Sequence, residues 1–89
     1  MSNFTGMDIN QVRVLSRQLQ TRADEIRTIT QQLTGQLNST PWIGPDREQF
    51  HGEWTGQHTA ALNSVVAGLE QASQTAMRNS NEQEQASSR

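Results

Sequence analysis

Four apolar residues, Val12, Leu19, Ile26 and Leu33, recur at strict seven-residue intervals. Leu15 and Ile29 fill an adjacent lane, and Ile9, Ala23 and Leu37 flank it. That spacing predicts one long amphipathic helix carrying a broad apolar stripe. Arg13, Gln20, Arg27, Gln31 and Thr34 fall on its other faces. Asp8 is placed to cap the first turn, Gln11 sits where a capping box wants an amide, and Met7 and Val12 are spaced for a hydrophobic staple. From Ile9 to Leu37 such a helix runs about 43 Å at ~1.5 Å per residue.

The pattern stops at Asn38-Ser39-Thr40-Pro41. Three residues that compete for backbone hydrogen bonds precede a proline that cannot continue a helix. A second pattern follows. Pro45 suits a first helical position, with Asp46 and Glu48 favourably placed in the first turn against the dipole. Phe50, Trp54, His58, Ala61, Val65, Leu69, Ala72 and Ala76 then step by fours and threes along one face. Leu62, Val66 and Met77 widen that face. Gly52, Gly56 and Gly68 each weaken the helix by about 1 kcal/mol relative to alanine, or else mark close backbone approach.

The expected architecture is all-α: an antiparallel two-helix hairpin with helices over 9–38 and 45–78 and a turn over 39–44. Residues 1–7 read as a flexible leader. Residues 79–89 are polar and aperiodic, and read as a disordered tail. Leu15, Leu19, Ile26 and Leu33 of the first helix are expected to hold it against Ala61, Val65 and Leu69 of the second. Two helices alone bury one stripe each, leaving Leu62, Val66, Met77 and Val14 partly wet. A second hairpin would cover them, giving a four-helix bundle.

Composition excludes several function classes. With no cysteine there is neither a disulfide nor a thiolate for metal or catalysis. Arginine is the only strong base and the net charge is −2, so nucleic acid is not an expected partner. No apolar run is long enough to cross a bilayer, and the N-terminus has no classical signal peptide. His51 and His58 lie two turns apart, too far to share one metal ion. His58, on the apolar face, is expected to hydrogen-bond across the bundle. Asp24-Glu25 and Glu48/Glu53 read as solvated helix faces, and Arg13 and Arg17 as a small basic patch one turn apart. No catalytic, cofactor or metal site is expected.

The bend carries Trp42-Ile43-Gly44, with Phe50 and Trp54 eight and twelve residues beyond Trp42. A large rigid indole suits the gap where two helices diverge, and Gly44 lets the backbone reverse. Together with the short cysteine-free chain, the long helix on each side and Pro45, this segment resembles the WXG family of type VII secretion substrates. The resemblance spans Asp8 to about Met77. It implies a Gram-positive source, and the arginine-only usage points to an actinobacterium. It further implies homo- or heterodimerisation with a related helical hairpin, docking on type VII secretion machinery, and a secreted protein with a cytoplasmic pool. Trp42, Gly44, Phe50 and Trp54 become the recognition residues. The family's export signal also includes a Tyr-x-x-x-acid element beyond the second helix. This chain has no tyrosine, so that element would come from a partner. The alternatives are a membrane-active secreted effector and an intracellular targeting subunit for a larger exported protein. An acidic chain should attract anionic lipid poorly.

Overall fold

A computed structural model describes residues 8–87. Helix α1 spans Ile9–Ser39, α2 spans Pro45–Glu53, a π-helical turn covers Trp54–His58, and α3 spans Thr59–Ser87. The last three run on without a break as one rod, which folds back antiparallel to α1. The resulting blade measures 66 × 18 × 14 Å. All-α hairpin architecture is therefore established. The leader over 1–7, and with it the Met7 half of the staple, lies outside the described residues.

Local chemistry sets the helix ends. The Asp8 carboxylate accepts from the Gln11 backbone N–H at 3.0 Å, satisfying one of the donors every helix start leaves unpaired. At the other end the Thr40 hydroxyl and backbone N–H both donate to the Gln36 carbonyl, at 2.6 and 2.9 Å. Pro41 follows and offers no N–H. Gly44 adopts φ 135°, a backbone conformation that residues bearing a Cβ rarely adopt. It leads into Pro45 at the start of α2, where Asp46 and Glu48 occupy the first turn.

The helices do not meet on the stripe that the leucines draw. The buried residues are Ser16 and Ala23 on α1, and Trp54, Val66, Ser73 and Ser80 on the returning rod. Ser16 lies seven before Ala23; Val66, Ser73 and Ser80 also follow at sevens. Ser16 faces Ser73 in a reciprocal pair: each hydroxyl donates to the other residue's carbonyl at 2.6 Å. Small side chains let the two backbones come close enough for this. A leucine in either position would hold them apart.

Several expectations are corrected in consequence. Leu15, Leu33, Ala61 and Val65 are exposed, while Leu19, Ile26 and Leu69 are half-buried. Val66, expected to stay wet, is in the seam instead. The polar stretch from Asn79 is helical as far as Ser87, not a disordered tail. Ser80 extends the small-residue seam and is fully buried, and Arg13 ties Asn81 and Glu84 to α1. A Cβ added at Gly52, Gly56 or Gly68 would meet nothing within 4 Å, so none of the three marks a close approach.

Candidate functional site

The seam divides the blade into two unlike flanks. On α1, the heptad lying three positions before the seam residues Ser16 and Ala23 (Arg13, Gln20, Arg27, Thr34) falls to one side, and the heptad lying four before them (Val12, Leu19, Ile26, Leu33) falls to the other. On α3, Glu70, Met77 and Glu84 fall on the first side, and Leu62, Leu69 and Ala76 on the second. Cross-helix bonds establish which sides coincide. Arg13 pairs with Glu84 at 2.9 Å and Arg27 with Glu70 at 2.7 Å. Gln20 donates to Glu70 at 3.2 Å. One flank is thus bridged by polar contacts, and the other is left apolar.

Those contacts shift the carboxyls. The Glu70 carboxyl is held below the usual range by its bond from Arg27, then by that from Gln20. Glu84 is lowered in the same way, first through the hydrogen bond from Arg13 and then through its charge. Both pairs are exposed, so each adds little to stability while still favouring one register.

The apolar flank has no such bridges among the described residues. Leu15, Ile29, Leu33 and Val65 are 49%, 52%, 45% and 49% exposed. Val12, Leu15, Leu19, Ala72 and Ala76 line one shallow groove along it. Single exposed apolar residues need no explanation, but a continuous row on one side of a small protein is characteristic of an interaction surface.

Toward the bend the same flank ends in an aromatic cluster. Trp42 lies 6.3 Å from Phe50, Phe50 lies 6.2 Å from Trp54, and the His58 ring sits 6.4 Å from Phe50 and 6.3 Å from Trp54. Residues four apart drift around an α-helix. The wider π turn over Trp54–His58 rotates less per residue and offsets that drift, so Phe50, Trp54 and His58 stay on one side of the rod and their rings form a compact triangle. Its hallmark is the Thr59 N–H bonded to the Trp54 carbonyl five residues back. Thr55 and Thr59 hydroxyls bond back to the His51 and Thr55 carbonyls, at 3.0 and 3.2 Å, a habit that loosens a helix locally.

The recognition residues expected from the sequence do come together, with different burial. Trp54 is the anchor: it is buried, and its indole N–H donates to the Thr34 hydroxyl at 2.9 Å. Trp42 and Phe50 are 42% and 40% exposed. With Leu33, Leu37 and Trp54 they line a cleft of about 200 Å³. Gly44 contributes backbone geometry, not surface. Ile43, beside it, is almost wholly exposed. His58 packs tilted against Phe50 and Trp54, while His51 contacts Asn38 at 3.3 Å. The Ser16/Ser73 seam is what the sequence reading missed. Its signal was a heptad of small residues running beside the heptad of large ones.

No family model matches the chain, and no curated protein or solved structure does either. Among the described residues no helix is long and apolar enough to cross a membrane, and no three His, Asp or Glu side chains gather to hold a metal ion.

Proposed function

We propose that this chain is a non-enzymatic interaction protein whose apolar flank pairs with a second helical hairpin to form a four-helix bundle. The carrying observation is the asymmetry of the blade. Its helices are joined by small residues and hydroxyls, so the large apolar side chains Leu15, Ile29, Leu33 and Val65 remain available to another molecule. Burying such a row is the main driving force for association in water.

The biological setting that fits this reading is type VII secretion, with the chain acting as a substrate or secretion partner of the WXG kind, exported by that route from a cytoplasmic pool. Support comes from the bend. Trp42 is presented to solvent beside Gly44 at positive φ, and Phe50 and Trp54 stack behind it. The lack of tyrosine favours a related but different hairpin as mate, one that supplies the missing signal.

Two measurements test the reading at its two levels. Light scattering of the purified chain, alone and with co-expressed candidate hairpins, should find a one-to-one pair. A monodisperse monomer under every condition removes the bundle. Culture filtrates of the wild type and a secretion-ATPase deletion should differ in content of this protein; equal amounts remove the export claim.

A further inference from the structure

Six arginines lie among the described residues, and four of them are engaged in ion pairs: Arg13, Arg22, Arg27 and Arg47. Among the described residues, Arg17 and Arg78 form neither an ion pair nor a side-chain hydrogen bond. They come from opposite helices, yet both line one open groove of about 610 Å³ on the polar flank. Met77 and the Ser16/Ser73 seam also line this groove. Glu82 stands one turn beyond Arg78 in the same lining without pairing to it. We infer that this groove docks an acidic amphipathic segment of a partner protein, with carboxylates meeting Arg17 and Arg78 and an apolar side chain meeting Met77.

Charge complementarity carries the inference. A guanidinium presents a planar fork of donors that matches a carboxylate in two parallel hydrogen bonds. Arg13 makes that two-bond match with Glu84, and Arg22, Arg27 and Arg47 each bond a carboxylate of this chain; at Arg17 and Arg78 the fork is left open. The α3 lining from Ser73 to Gln85 is about 18 Å long at ~1.5 Å per residue, enough for about three turns of a partner helix. A densely charged polyanion fits less well than a segment with two spaced carboxylates, because only Arg17 and Arg78 offer positive charge here while Glu82 lies within the groove and the chain as a whole is net negative. The groove lies on the flank opposite the apolar row, so it stays open in a bundle and the inference does not depend on pairing.

The test is NMR titration of the full chain, following the arginine Nε–H signals, with a synthetic helical peptide of alternating glutamate and leucine turns as probe. A glutamine-for-glutamate peptide and inorganic phosphate serve as controls. The expected result is movement of the Arg17 and Arg78 signals with Arg13 and Arg27 unmoved, weakened by salt. The joint variant Arg17→Gln/Arg78→Gln should bind about five- to tenfold more weakly, two exposed charge pairs being lost. Glu82→Gln should bind more tightly than wild type. Because both arginines are exposed, circular dichroism of the joint variant should match wild type; if it does not, the wild-type signal pattern and Glu82→Gln decide. Equal movement at Arg13 and Arg27, equal binding by the glutamine peptide, or phosphate moving the same signals at the same concentration would each overturn the inference. Light scattering in the same samples reads the bundle separately.

Discussion

The Ser16 hydroxyl donates to the Ser73 carbonyl, and the Ser73 hydroxyl donates back to the Ser16 carbonyl, each at 2.6 Å, locking α1 and α3 at one level. Both residues are buried, so neither hydroxyl can turn to water. The pair fixes register as well as distance. A slip of one residue would lose both bonds.

Enlarging either serine should therefore harm more than removing its hydroxyl. Ser16→Ala is expected to cost about 1 kcal/mol, the net worth of one hydrogen bond. Ser16→Leu should cost about 1–3 kcal/mol, because the added volume pushes apart two closely apposed backbones. Urea unfolding followed by circular dichroism measures both. A leucine variant as stable as wild type would show that the seam tolerates a wider gap.

The two tryptophans should respond differently to truncation. Trp54 is buried and bonded to Thr34, so Trp54→Ala is expected to cost about 3–5 kcal/mol. Trp42 is nearly half exposed, and Trp42→Ala should cost about 1 kcal/mol with most helicity retained. Its effect belongs in partner binding or export. Thermal melts beside a secretion assay separate the two roles, and collapse of the Trp42 variant would make it a corner-packing residue only.

Acid should loosen the polar flank. Glu70 and Glu84 have folded-state pKa values below their unfolded ones, so they bind protons more weakly when folded. Their contribution is present above the ordinary glutamate value of about 4.3 and is lost as pH falls through the lowered folded values. Denaturant midpoints taken from neutral pH down to about 3 should decline over that window. Glu70→Gln with Glu84→Gln should flatten part of the decline; an unchanged slope would assign the acid sensitivity elsewhere.

A charge on the apolar flank should separate folding from association. Leu15 and Val65 are about half exposed in the single chain, so Leu15→Glu or Val65→Glu should change its stability by only about 0.5 kcal/mol. In a bundle the same carboxylate is buried without a partner, which costs several kcal/mol. Light scattering should then find monomers where the wild type pairs, and circular dichroism should find helicity intact. Unaffected pairing would move the interface off this flank.

How much of this was legible beforehand can be judged residue by residue. Asp8, Thr40-Pro41 and Gly44-Pro45 announce helix ends through local chemistry that needs no tertiary context. The heptad of Val12, Leu19, Ile26 and Leu33 announces a long amphipathic helix, since periodicity is a property of the chain alone. The bend aromatics were legible too, because four-residue spacing brings Phe50 and Trp54 together on one face. Which lane of α1 meets the returning rod was not. Two heptads run side by side, one of large apolar residues and one containing Ser16 and Ala23, and apolar periodicity ranks the first above the second. Only the tertiary structure resolves the choice. The small lane permits close backbone approach and a reciprocal hydroxyl pair with Ser73, and that geometry exists only once the second helix is in place. The same cause extends α3 past Asn79, where Ser80 and the Arg13 contacts hold a polar stretch that carries no apolar period of its own.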